Sequence, residues 1–198
     1  MSKEHKVVII PGLGDDTKHL RLAVAPWNRK GLTPIVYSVD WRNGEGFEPK
    51  LEGLLTLVDK LEAEGNLISL VGTSAGGSAA LNAFVKRLDA VHRVINVCGR
   101  LRVGPTTGYR SFDSMTKTSL AFAQAVKMFE GLEGSISTQD IKRIMTVRSL
   151  LGDELVPKST TIIEGARNIW VPTPEHVISI GASLTVFSHR LIEFLTQE

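Results

Sequence analysis

Short uninterrupted apolar runs alternate along this chain with longer stretches in which apolar residues recur every three or four positions. Val7–Ile10 is a β-branched run closed by Pro11-Gly12, which predicts a strand buried on both faces. A helix is expected over about Thr17–Lys30, bent or interrupted at Pro26. Thr33–Val39 predicts the second strand. Leu51, Leu54, Leu55, Val58 and Leu61 then keep a helical period between Pro49 and a stop at Gly65. Leu67–Val71 reads as the third strand and Ser78–Leu88 as the helix behind it. His92–Val97, Met145–Leu150 and Asn168–Val171 give three further strands. Helices are expected over Phe112–Phe129, near Asp140 and over Ser183–Leu195. Strands that are solidly apolar and alternate with helices define an α/β protein. Its mostly parallel sheet has six strands and carries helices on both faces.

One junction stands out. Leu67–Val71 runs directly into Gly72-Thr73-Ser74-Ala75-Gly76-Gly77 and then into a helix that begins with small residues. Strand, Gly-x-Ser-x-Gly, helix is the pattern of a nucleophile elbow, where a tight turn forces the serine into a strained backbone conformation. The flanking residues must lack bulk so that neighbouring backbone can pass close by. The plainer reading is a glycine-rich turn with Ser74 merely capping the helix.

Parallel sheets bind ligands at the carboxyl ends of their strands, and Ser74, Asp153 and His176 each fall just past such an end. Their chain order, Ser…Asp…His, resembles that of the α/β-hydrolase fold, and the resemblance runs from the strand at Val7 to the final helix. The chain looks like a small, compact member, without the two leading antiparallel strands and without a large inserted cap. It carries Pro11-Gly12 where such proteins often carry His-Gly. The resemblance implies that Ser74 is a nucleophile, His176 its base, and Asp153 the acid that orients the imidazole. It also implies that the backbone amides of Leu13 and Ala75 form an oxyanion hole. No cofactor and no metal are implied. Glu154 competes with Asp153 for the role of acid, Asp153 being favoured as the first carboxylate after its strand. His189 is the competitor of His176, but it lies inside the last helix. Glu175 reads as a solvated loop charge.

Composition narrows the picture only slightly. A length of 198 residues suits one domain, and a formal charge of +2 with scattered basic residues argues against a nucleic-acid partner. Cys98 is the single cysteine, which excludes an internal disulfide and a cysteine-built metal site; it reads as buried. The polar start, with an apolar run of only four residues, predicts neither a signal peptide nor a membrane span, so a cytoplasmic protein is expected. Nothing in the pattern specifies an oligomeric state.

Residues 100–140, where the regular pattern loosens, are the candidate for a short lid. Phe112, Phe122 and Phe129 with Leu120 read either as the lining of an acyl pocket beneath it or as a core stripe. Arg100 and Arg102 read as solvated, or as a contact for an acidic substrate group. The expected substrate is a small carboxylic ester or thioester. A nucleotide-binding α/β protein is the rival class, since Gly12-Leu13-Gly14 follows the first strand and Asp40 ends the second. Against it, Thr17 replaces the third glycine of the fingerprint, and Asp15 and Asp16 would repel a pyrophosphate. A third class is a non-catalytic binding module built on the same fold.

Overall fold

In the computed structural model, residues 3–197 are described; Met1 and Ser2, part of the polar start, lie outside them. Six strands form one sheet: β1 (His5–Ile10), β2 (Leu32–Val36), β3 (Leu67–Thr73), β4 (Val91–Val97), β5 (Ile144–Ser149) and β6 (Arg167–Val171). Their order is β2-β1-β3-β4-β5-β6, and every neighbouring pair is parallel. Parallel pairing brings all carboxyl ends to one edge. Ile10 lies in register with Gly72, and Gly72 with Asn96, so the loops after β1, β3 and β4 leave the sheet side by side.

Helices cover both faces, as solidly apolar strands require. On one face lie α2 (Phe47–Ala63), α3 (Ala75–Lys86) and α5 (Leu120–Glu133), packed on Val8, Ile10, Leu70 and Val94. The other face carries α1 (Thr17–Val24), α7 (His176–Leu184) and α8 (Ser188–Thr196) against Val7, Ile9, Val71, Ile95 and Val147. Two short helices, α4 (Phe112–Thr116) and α6 (Thr138–Ile141), complete the chain. No single helix among the described residues is long and apolar enough to cross a membrane.

The departures from the sequence reading have local causes. β2 ends at Val36 and not at Val39, because the Asp15 carboxylate accepts the backbone N–H groups of Val39 (3.1 Å) and Asp40 (3.2 Å) and draws the chain out of the ladder. The expected helix Phe112–Phe129 is two helices, since the Ser119 hydroxyl caps a new start by accepting the Phe122 N–H at 3.1 Å. The last helix, expected over Ser183–Leu195, begins at Ser188, and α7 (His176–Leu184), which the pattern does not predict, precedes it. At Pro26 the helix does change, to a 3-10 segment over Ala25–Lys30.

Candidate active site

Ser74 follows β3 and precedes α3 with φ +52° and ψ −121°, a conformation that costs a residue with a Cβ on the order of 1–3 kcal/mol. Its surroundings enforce that conformation. Its N–H donates to the Val97 carbonyl at 2.9 Å, and its carbonyl accepts from Gly77 N–H at 3.0 Å. A Cβ on Gly72 would run into the backbone of Gly76, and one on Gly76 into the carbonyl of Ile10. Only glycine permits β1, β3 and α3 to approach this closely, which is why the small residues cluster here. Gly12 serves the loop after β1 in the same way: a Cβ there would stand 2.8 Å from that of Ser74.

Two further loops bring the partners. The loop after β5 carries Asp153, and the loop after β6 leads into His176. They are joined by the Glu175 N–H donating to the Gly152 carbonyl at 3.0 Å, and by the Ser149 hydroxyl, 2.8 Å from the Gly152 oxygen and 2.6 Å from that of Thr173. His176 is the first residue of α7. Glu175, held at φ +71°, caps that helix by accepting the Ile178 N–H at 2.7 Å. It is therefore a capping group and not simply a solvated charge.

The three side chains meet. His176 Nδ1 lies 2.7 Å from Asp153 Oδ2, and His176 Nε2 lies 2.8 Å from Ser74 Oγ. A carboxylate can only accept, so Nδ1 carries the hydrogen and the Nε2 lone pair faces the serine hydroxyl, which donates to it. The His176 side chain is 3% exposed and that of Asp153 10%, so bulk water barely reaches this pair. The other Asp153 oxygen accepts the N–H groups of Leu155 (2.9 Å) and Val156 (2.8 Å). Burial pushes the Asp153 carboxyl upward. The His176 hydrogen bond and charge, together with the two backbone amides, outweigh burial and hold it below the ordinary carboxylate range.

Glu154, the competing acid, does something else: its Oε2 accepts the backbone N–H of His176 at 3.0 Å. Adjacent carboxylates thus hold one histidine, by ring and by main chain. His189 lies exposed on α8. Ala75 begins α3 beside Ser74, and Leu13 sits in the loop after β1. Among the described residues, neither of their N–H groups has a protein acceptor.

Other expectations are redistributed. Arg100 is buried and its guanidinium donates to the carbonyls of Arg102 (3.1 Å), Arg110 (2.8 Å) and Val103, while Arg102 pairs with Glu133. Neither is solvated or free for a ligand. Phe112, Phe122 and Phe129 are core side chains and Leu120 is exposed. Cys98 is buried; desolvation first, then the Asp153 charge, drives its thiol well above the ordinary range, so it stays protonated. The start of α1 is already capped by Asp16, which accepts the His19 N–H at 3.1 Å and contacts its ring at 2.6 Å. A pyrophosphate would meet a carboxylate there.

Ser74 opens on a largely apolar cleft of about 520 Å³, walled by the loop after β1, one face of α1 and one face of α7. The sequence reading missed this cleft. Its walls come from opposite ends of the chain, and the only trace is the spacing of Leu20 with Ala23 and of Ile180 with Leu184. A larger open hollow of about 1070 Å³ lies at the opposite sheet edge, lined by charges of both signs such as Lys6, Glu62, Glu64 and Arg143, and holds no comparable constellation.

No family model and no curated sequence matches the chain. Solved structures do. The ydeN gene product of B. subtilis superposes with a TM-score of 0.66 at 19% identity, over 98% of this chain and 100% of that one. The enol-lactonase of Burkholderia xenovorans LB400 gives 0.66 at 14% identity, covering 98% and 92%. A monoacylglycerol lipase of Paleococcus ferrophilus gives 0.63 at 15%, covering 96% and 93%. The chain has the α/β-hydrolase fold, in a small and compact form.

Proposed function

We propose that this protein is a serine hydrolase, cleaving a small carboxylic ester or thioester through an acyl-enzyme on Ser74. The observation that carries the reading is the unbroken series of hydrogen bonds from Asp153 through His176 to the Ser74 hydroxyl. Structural neighbours that are a lipase and a lactonase support it at the level of ester hydrolysis. The 198 residues act as one domain, without a cofactor.

A serine hydroxyl is a weak nucleophile until a base accepts its proton. In the proposed reaction Nε2 of His176 takes that proton as Oγ attacks the carbonyl carbon. Asp153 stabilises the imidazolium so formed and keeps Nδ1 as its hydrogen-bonded side. The Leu13 and Ala75 amides receive the developing oxyanion, each worth about 3 kcal/mol in the transition state. The tetrahedral intermediate collapses, and His176 returns the proton to the departing alcohol or thiol. Water then repeats the sequence, with His176 as base, and releases the acid and free Ser74.

The test is hydrolysis of p-nitrophenyl acetate and of an acetyl thioester by the wild type and by Ser74→Ala. The proposal expects turnover that falls about a thousandfold or more in the variant. Equal rates for the two proteins would overturn it.

A further inference from the structure

The cleft beside Ser74 is uneven in its chemistry. Apart from His176 of the site itself, its charged and titratable lining groups, Asp15, Asp16, His19 and Arg42, come from the loops after β1 and β2 and from the first turn of α1. Leu13 and Leu155 from the loops after β1 and β5 add apolar lining, and two helices supply most of the rest. α1 contributes Leu20 and Ala23, and α7 contributes Ile180, Gly181 and Leu184. No charged side chain lies on this stretch.

From His176 to Leu184 the α7 wall runs for about 12 Å at 1.5 Å per residue. Midway along it stands Gly181, where an added Cβ would meet nothing within 4 Å. Glycine inside a helix sacrifices roughly 1 kcal/mol against alanine. Its φ is not among the positive ones, so no turn demands glycine here. Opposite, the small Ala23 belongs to the wall formed by α1. An apolar surface shared by α1 and α7, with open space at a helical glycine, thus lines the same cleft as the Ser74 hydroxyl.

We infer that the groove between α1 and α7 holds a medium-length unbranched alkyl chain of the scissile ester, with Gly181 and Ala23 setting how far that chain extends. The inference rests on the reading of Ser74 as nucleophile. Each methylene that leaves water for these walls raises kcat/KM by about fourfold until the groove is filled. The chain belongs to the acyl group or to the alcohol, and the two sources are separable by experiment.

The experiment measures kcat/KM for p-nitrophenyl esters from acetate to decanoate and for n-alkyl acetates from ethyl to decyl. The wild type, Gly181→Leu and Ala23→Leu are compared. Gly181→Leu adds a better helix former at an open position, so it folds; Ala23→Leu fills the opposite wall. A severalfold rise per methylene in one series, with the octyl-to-short ratio collapsing at least tenfold in both variants, is the expected result. A rise among the p-nitrophenyl esters assigns the chain to the acyl group; a rise among the acetates assigns it to the alcohol. Flat profiles in both series, or a rise unchanged in both variants, would overturn the inference. Calorimetric titration with 1-octanol separates it from catalysis. Binding by the wild type and its loss in Gly181→Leu, in a protein without ester turnover, would sustain the groove and sink the nucleophile. Absence of octanol binding by the wild type would sink the groove itself.

Discussion

The Nε2 of His176 stands 2.8 Å from the Oγ of Ser74 across 102 residues of sequence. That contact requires a strand end, a helix start and two joined loops to be placed together. The hydrogen on Nδ1 sets its direction, and Asp153 holds that hydrogen. Asp153→Asn presents an amide that can donate as well as accept, so the competing tautomer turns the Nε2 hydrogen toward the serine. We expect kcat to fall by about 10⁴ with KM nearly unchanged. Steady-state kinetics on a chromogenic ester would show it, and a loss confined to KM would contradict it.

Glu154 holds the same histidine by its main chain. A hydrogen bond to a charged acceptor is worth about 1.5–3 kcal/mol, so Glu154→Ala should lower kcat by about tenfold or more by letting the start of α7 drift. Glu154→Gln keeps an acceptor oxygen and should recover most of the loss. If Gln loses as much kcat as Ala, the charge matters and the hydrogen bond does not; if neither loses activity, Glu154 does not position His176.

Much of this was legible in the sequence because it is written locally. Solid apolar runs gave the parallel sheet, and Gly72-Thr73-Ser74-Ala75-Gly76 gave the elbow, since close backbone approach leaves so few residue choices. The α7 helix was obscured by Val177, Ile178, Ile180 and Gly181, β-branched and glycine residues that weaken a helical signal. Arg100 was illegible for another reason. Three carbonyls from Arg102–Arg110 satisfy its guanidinium, and no spacing announces a cage made of backbone. The three phenylalanines fit either a pocket or a core by period alone, and their burial between helix and sheet decided for the core.

The strained serine predicts a trade between stability and activity. Ser74→Gly relieves about 1–3 kcal/mol of backbone strain and costs roughly 0.4–1 kcal/mol through the more flexible unfolded chain. The net gain, on the order of 1 kcal/mol, should raise Tm by about 2–4 °C while activity disappears. A calorimetric scan showing a lower Tm would mean that the φ of +52° carries no strain.

Stability should also depend on pH through a histidine far from the site. His5 is buried at the start of β1, its Nε2 2.9 Å from the Ser69 hydroxyl. Burial, then the neighbouring His92, pushes its imidazole down to about 4, whereas an unfolded histidine titrates near 6.5. Between those values the unfolded chain takes up a proton that the folded one refuses. The stability is complete above pH 6.5 and declines as pH falls toward 4. Asp153, lowered in the fold, adds its own loss only below the ordinary carboxylate range. Urea midpoints should drop between pH 7 and pH 5 in the wild type and change less in His5→Gln. Parallel curves would refute the assignment.

The proposed reaction depends above all on Ser74 becoming covalently modified through His176. Intact-mass spectrometry after exposure to a fluorophosphonate measures this directly. One adduct is expected on the wild type, mapped by peptide fragmentation to Ser74, with none on Ser74→Ala and labelling slowed at least a hundredfold in a folded His176→Ala. An unlabelled wild type, or an adduct that persists in Ser74→Ala, would contradict the account.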